Sequence, residues 1–328
     1  MENLFFKKED LANDSKGGLE KNILKEMDLK FNKQFNCTEN VEGIKVVDIK
    51  PFKEEGKNKV VFAPGFSRTP ATFKNTMRAF YKKNRGVISL NHSRLFGEVK
   101  EDFIESNIPS EVLRRATSLY KVIINEIKNN EKNNVNKKID VVGQSAGGMD
   151  AILAVIMVEE KKPGSISNIV LVDTAGIIGN DSKKELKERI KVQIVDNKEI
   201  MASSERSLSE VNNQKNASRE FFKYLLKNPI RAIAEIEGMT AVRLEQLMIE
   251  LKKSSGIGIS IIHGVDDKIF PMDMVQKGAK DRGLSDAIDG FYSVKGGHNE
   301  LYLNPEKYVG LIDATLLALE KKEDIMLN

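Results

Sequence analysis

Gly143-Gln144-Ser145-Ala146-Gly147, set directly after Lys138-Ile139-Asp140-Val141-Val142, decides how this chain is read. An apolar run ends here and a helical pattern, Ala146–Met157, begins. A residue at the apex of a sharp strand-to-helix turn is forced into strained backbone geometry. The flanking positions must be small, because side chains there would strike the strand and the helix. The serine hydroxyl then stands at the top of a sheet, with the next backbone N–H beside it. The five-residue pattern alone carries little weight. With glycine and serine each at roughly 7% usage, it arises by chance in about one chain in ten of this length. Its strand–turn–helix setting is what raises it.

Working outward, short apolar runs alternate with helical patterns on both sides of this turn. Gly43–Phe52 is β-like, Lys59–Ala63 is a short buried run, and Gly86–Leu90 is a third. Asn168–Val172, Gly258–Ile262 and Phe291–Val294 follow the turn. Between them Thr69-Pro70 reads as a helix start, and Ser110 as the cap of a long helix carrying Leu113, Ala116, Tyr120, Ile123 and Ile127 at helical spacing. Asn129–Lys137 reads as a polar loop, and Asn304-Pro305 opens a terminal helix through about Leu319. Continuous apolar runs separated by helices predict strands buried on both faces, hence an α/β fold with a mostly parallel central sheet flanked by helices. One interval breaks the rhythm. From 180 to 255 only helical patterns occur, opened by the capping box Ser182-x-x-Glu185, which predicts an all-helical insertion. The expected organisation is a charged lead-in over 1–42, a core from 43–179 and 256–328, and a helical cap over 180–255. The lead-in is expected to be helical or partly disordered, with no chemistry of its own.

Composition narrows the function classes. With 52 basic and 48 acidic residues among 328, the net charge is only +4, which argues against a dedicated nucleic-acid binder. Lys82, Lys83 and Arg85 cluster where a predicted helix closes, a place where cations favour the negative end of the dipole. Cys37 is the only cysteine, so no intrachain disulfide can form and a reducing compartment fits better. The first ten residues hold an apolar run too short for a signal-peptide core, and no window approaches the roughly 20 apolar residues that span a bilayer. A soluble, cytoplasmic protein without a membrane span is expected.

A serine hydroxyl is a poor nucleophile without an adjacent base, and the base needs a carboxylate to orient it. Only three histidines are present. His298 lies in Lys295-Gly296-Gly297-His298-Asn299-Glu300, past the last strand-like run, where paired glycines suit a tight loop returning over the sheet edge. His263 ends its own apolar run and reads as structural, and His92 follows the third run and reads as a loop residue. Asp150, just after the turn, is expected to pair or to be solvated. The glycines of 143–148 lack the Lys-Ser/Thr ending of a phosphate loop, and no His/Cys/Asp cluster has metal-ligand spacing.

From about Gly43 to Leu319 the chain resembles the α/β-hydrolase superfamily, whose members carry nucleophile, acid and histidine in that chain order. The resemblance implies Ser145 as nucleophile and His298 as general base. It places the acid in Gly264-x-x-Asp267, followed by Pro271, at Asp267 in preference to Asp266. Asp173, which also ends a strand-like run, is an alternative acid position. Phe62-Ala63-Pro64-Gly65-Phe66 resembles the family's oxyanion loop, with Pro64 where a histidine is usual. The oxyanion donors implied are the backbone N–H groups of Phe66 and Ala146. Asn91–Ser110 lacks the Asp-x-x-Gly-x-Gly-x-Ser run that many relatives carry. Serine rather than aspartate at the apex implies acyl transfer to water from a small-molecule substrate, with no cofactor and no metal. A carboxylic ester is the first expectation. A thioesterase, amidase, C–C bond hydrolase or acyltransferase would use the same residues, and a non-catalytic ligand receptor is the rival from another class.

Overall fold

The computed structural model describes residues 8–53, 57–91, 108–178 and 181–327. His92 and most of the Asn91–Ser110 stretch lie outside them. Eight strands form one sheet: β1 (Thr38–Val41), β2 (Ile44–Ile49), β3 (Lys59–Ala63), β4 (Val87–Leu90), β5 (Ile139–Gln144), β6 (Ile166–Val172), β7 (Gly258–Gly264) and β8 (Gly290–Val294). Their order is β1-β2-β4-β3-β5-β6-β7-β8. β2 pairs antiparallel with both its neighbours, and every other pairing is parallel. The chain is therefore α/β, with a mostly parallel sheet flanked by helices, as the run pattern predicts.

Side chains explain why the runs are continuous rather than alternating. Val61 and Ala63, Ile139 and Val141, Ile169 and Leu171, and Ile259 and Ile261 enter one apolar cluster. Their neighbours Val60 and Phe62, Val142, Val170 and Val172, and Ile262 enter the other. Successive side chains point to opposite faces of a strand, so a sheet covered on both faces needs apolar residues at every position. On the first face lie α3 (Ser110–Lys132) and α4 (Ala146–Lys161). On the second lie α1 (Lys8–Phe35), α2 (Lys74–Lys82) and α11 (Pro305–Leu327).

Several boundaries differ from those the sequence predicts. The lead-in is helical over α1, one of the forms expected, and it packs: Phe31 is fully buried beside Ile49 and Tyr81. The unexpected addition is Thr38–Val41, an edge strand whose mostly exposed residues give no apolar signal. Thr69 does not cap a helix. Consecutive turns run through Pro70–Phe73 and α2 begins at Lys74; within those turns the Thr69 hydroxyl accepts from the Ala71 N–H (3.3 Å) and donates to Glu220 (3.0 Å). The N-cap of α3 is Pro109, one residue before Ser110, and the helix runs on through Lys132 into the expected polar loop. α11 reaches Leu327. Contrary to its clustering with Lys82 and Lys83, Arg85 does not serve the end of α2. It is fully buried, with Nε 2.7 Å from Asp313 and Nη1 2.8 Å from Asp140, and Nη2 reaches Glu320.

Between β6 and β7 the chain is helical, as expected: α5 (Lys183–Ala202), α6 (Leu208–Lys227), α7 (Pro229–Ala241) and α8 (Leu244–Ser255). The capping box at Ser182 and Glu185 forms, and a second joins Ser207 and Glu210. α5, α6 and α7 pack on one another, whereas α8 packs on α4 and buries Leu244, Met248 and Leu251 in the first-face cluster. α9 (Met272–Asp281) and the short α10 (Glu300–Leu303) complete the fold. Among the described residues no helix is long and apolar enough to cross a membrane.

Removing one partner from a buried ion network leaves charges that water cannot reach, at a cost of about 3–5 kcal/mol. Arg85→Met strands the fully buried Asp140 in this way, whereas Asp313 keeps Lys57 at 2.8 Å. The variant's unfolding free energy in urea is expected to fall by about that amount; a loss below about 1 kcal/mol would contradict the account.

Candidate active site

Ser145 sits at the turn from β5 into α4 with φ 55° and ψ −126°, a left-handed conformation that side-chain-bearing residues rarely adopt. The turn is fastened to its surroundings. The Ser145 N–H donates to the Val172 carbonyl (2.9 Å), and the Ser145 carbonyl accepts from the N–H groups of Gly148 (3.0 Å) and Ala175 (3.2 Å). The flanking glycines are required by close approach. A Cβ on Gly147 would stand 2.2 Å from the Ala63 carbonyl oxygen, and one on Gly143 would stand 2.5 Å from that of Gly147. Backbone cannot yield as a flexible side chain can, so helix and strand come this close only over glycine.

The end of β8 returns His298 to this turn. Its Nε2 lies 3.0 Å from the Ser145 Oγ, and its Nδ1 lies 2.8 Å from Asp267 Oδ2. The second oxygen of Asp267 accepts from the N–H groups of Ile269 (2.7 Å) and Phe270 (2.9 Å), which fixes the carboxylate toward the ring. All three side chains are buried. Asp266, the neighbouring candidate, is exposed, and its N–H donates to the Gly296 carbonyl.

Asp173, the other candidate acid, is buried close behind. Its Oδ1 accepts from the Gly264 N–H at 2.7 Å and lies 3.6 Å from Nδ1 of His263. Burial first, and then the neighbouring Asp267, push its carboxyl well above the ordinary carboxylate range. Burial pushes the His263 imidazole down, toward the neutral ring. Its Nε2 lies 2.7 Å from the Phe270 carbonyl, which only accepts, so Nε2 carries the proton. The structural role expected for His263 is the one its contacts describe.

The donor atoms of Asp173, Asp267 and His298 all lie within 4.8 Å of one another, a grouping that spacing along the chain does not disclose. A cation bound through these atoms would have to replace the proton shared between His298 Nδ1 and Asp267.

Above Ser145 lies a cavity of about 130 Å³. Its walls come from Phe66 of the β3 loop, from Ile190 and Met201 of α5, from Phe221 and Phe222 of α6, and from Met239 of α7. Ala146 opens α4 directly after the serine. Phe66 packs edge-on against Tyr224, with centroids 5.5 Å apart.

Sequence reasoning missed the group that holds this wall. Arg115 of α3 is 3% exposed and donates to Asp150 of α4 (2.7 Å), to Glu235 of α7 (3.1 Å) and to the Pro64 carbonyl (3.2 Å). Glu235 in turn accepts from the Tyr224 hydroxyl at 2.6 Å and from Arg231 at 3.0 Å. Asp150 therefore pairs, one of the two outcomes expected of it. The usable signal was a lone carboxylate inside Gly148-Met149-Asp150-Ala151-Ile152-Leu153, because a charge in so apolar a helix needs a buried partner.

No protein-family model matches the sequence, and no curated protein matches it significantly. Its backbone, however, is similar to many solved structures. A bacterial membrane phospholipase A matches at 13% identity over 94% of this chain and 96% of that one, with a TM-score of 0.57. A thermophilic esterase from Thermogutta terrifontis matches at 18% over 86% and 97%, with a TM-score of 0.53. A lipase-esterase related protein from Clostridium acetobutylicum matches at 17% over 83% and 99%, with a TM-score of 0.54. With the sheet order and the turn geometry, these likenesses define the fold as that of the α/β-hydrolases.

The raised Asp173 carboxyl makes a signed prediction. Its folded form holds the proton at pH values where the unfolded chain has released it, so wild-type stability is lost as pH rises through the folded value. The amide introduced by Asp173→Asn keeps the acceptor for Gly264 and has no proton to lose. The stability difference between Asp173→Asn and wild type should therefore grow in favour of the variant from about pH 4 to about pH 8 in thermal melts. A constant difference would refute the assignment.

Proposed function

We propose that this chain is a serine hydrolase that cleaves a carboxylic ester through an acyl-enzyme. The observation that carries the reading is the unbroken chain from Ser145 Oγ through His298 to Asp267 Oδ2, with links of 3.0 and 2.8 Å, at the foot of a largely apolar cavity. His298 Nε2 takes the hydroxyl proton as Ser145 Oγ bonds to the acyl carbon. Nδ1–H stays on the ring and donates to Asp267, which sets the tautomer and stabilises the imidazolium. The N–H groups of Phe66 and Ala146 receive the oxyanion, a contribution of several kcal/mol in such sites. The leaving alkoxide departs with the proton from Nε2. Water then gives a proton to the same nitrogen as its oxygen bonds to the acyl carbon. Nε2 returns that proton to Ser145 Oγ as the ester bond to the serine breaks, which frees the acid and regenerates the hydroxyl.

In this reading α5–α7 form the cap that shapes the acyl pocket, and α8 belongs to the core with α4. Met201, Met239, Phe221 and Phe222 supply adaptable apolar walls that favour an acyl chain over a charged group. The esterases and lipases among the structural neighbours accord with an ester as the bond cleaved. The exposed single Cys37 accords with a cytoplasmic setting.

Hydrolysis of short- to medium-chain p-nitrophenyl esters tests the proposal. Ser145→Ala and His298→Ala are each expected to lower kcat by about 10⁴-fold or more, and Asp267→Asn by about 10⁴-fold. A fluorophosphonate should label wild type and leave Ser145→Ala unmodified. Equal turnover by wild type and Ser145→Ala would end the reading.

A further inference from the structure

α6 carries Lys215, Arg219, Lys223 and Lys227 at four-residue intervals, which places them in one row along the helix. All four are exposed, and among the described residues none has an acidic partner. The two acids of this helix are engaged elsewhere: Glu210 by Arg206 and the Ser207 N–H, and Glu220 by the hydroxyls of Thr69 and Thr72. Beside the row runs an apolar strip. Phe222 is 50% and Leu226 83% exposed, followed by Ile230 (84%) and Ile233 (50%) at the start of α7. A groove of about 550 Å³ runs along this face, and its walls include Met201, Phe222, Leu226 and the four cations. Met201, Ser218 and Phe222 also line the cavity above Ser145, so groove and cavity share a wall. Phe221 and Phe222 continue the aromatic contact inward, Phe221 lying 6.1 Å from Phe66.

We propose that the α6 face with the start of α7 docks on an anionic lipid surface, so that an acyl chain passes from that surface along Phe222 into the cavity. An ordinary solvated helix face would intersperse acids with its lysines and would not leave Leu226 and Ile230 bare. A polyanion in solution would use the cations and gain nothing from the aliphatic strip. A cationic row bordering exposed large apolar side chains is the chemistry of a helix lying in the headgroup boundary, with its apolar side reaching the acyl region. Docking itself does not depend on the hydrolase reading; only the route of the acyl chain does.

The test uses full-length Ser145→Ala protein, so that binding is measured without turnover. It is co-sedimented with vesicles of phosphatidylcholine alone and of phosphatidylcholine mixed with phosphatidylglycerol. Binding to the mixed vesicles, weakened by salt and by omission of the anionic lipid, is expected. Lys223→Glu/Lys227→Glu should reduce partitioning by at least about tenfold, since each basic side chain near an anionic leaflet contributes about fivefold. Leu226→Gln should weaken it at low and high salt alike. In the Ser145 background, Lys223→Glu/Lys227→Glu should hydrolyse a soluble short-chain ester as wild type does, which shows that the variant is folded. Failure of Ser145→Ala to sediment with anionic vesicles, or undiminished binding by the charge-reversed protein, would overturn the proposal. Absent ester turnover in every protein, together with intact vesicle binding, would count against the hydrolase reading alone.

Discussion

The first turn of α4 and the end of β3 pass each other at a distance no side chain can enter. That clearance, kept by Gly147 beneath the Ala63 carbonyl, is the constraint on which the site depends. It lets the chain reverse within one residue, and that residue is Ser145, held at φ 55°. Strain of this kind, on the order of 1–3 kcal/mol, persists only where surroundings over-determine it. Here the backbone bonds to Val172, Gly148 and Ala175 do so. The same approach sets the Pro64–Phe66 loop beside the serine, so the geometry of the loop and of the hydroxyl share one origin.

A second layer of organisation is electrostatic. Arg115 joins a core helix, the helix that follows the serine, the loop after β3 and a helix of the insertion through one buried guanidinium. Two acids against one cation would leave excess negative charge in a dry place. Arg231 and the Tyr224 hydroxyl, both on Glu235, offset it. Thr69 and Thr72 make a further link between core and insertion through Glu220. The helices over the cavity are thus tied to the core by directional polar contacts as well as by apolar packing. This favours one arrangement of the cavity walls over the many that apolar contact alone would allow.

What the sequence discloses follows from which forces are local. Strands buried on both faces announce themselves as unbroken apolar runs, as β3 to β7 do. The partly exposed β2 and β8 read only as β-like runs, and β1, an edge strand with mostly exposed side chains, is not visible. Gly143, Ser145 and Gly147 are legible because backbone clearance is a short-range demand written in neighbouring residues. The order of Asp267 and His298 after Ser145 is legible only through resemblance, because nothing local says that two loops will meet. Arg85 shows the limit most clearly: beside Lys82 and Lys83 it reads as one of three cations closing a helix, and only the sheet order brings Asp140 and Asp313 to it. Thr69 misleads differently: its hydroxyl accepts a local N–H, from Ala71, but it caps a set of turns rather than the helix, which starts only at Lys74.

Ser145 and His298 are 153 residues apart in the chain but 3.0 Å apart in space. The strand before the serine lies in the middle of the sheet, whereas the histidine follows β8, the outermost strand and the last to be synthesised. In the proposed mechanism a nascent or partly unfolded chain carries its nucleophile long before it carries a base. The hydroxyl is then chemically silent until β8 has paired along β7. Reactivity at Ser145 would therefore report, within a single measurement, that assembly of the sheet has reached its final edge.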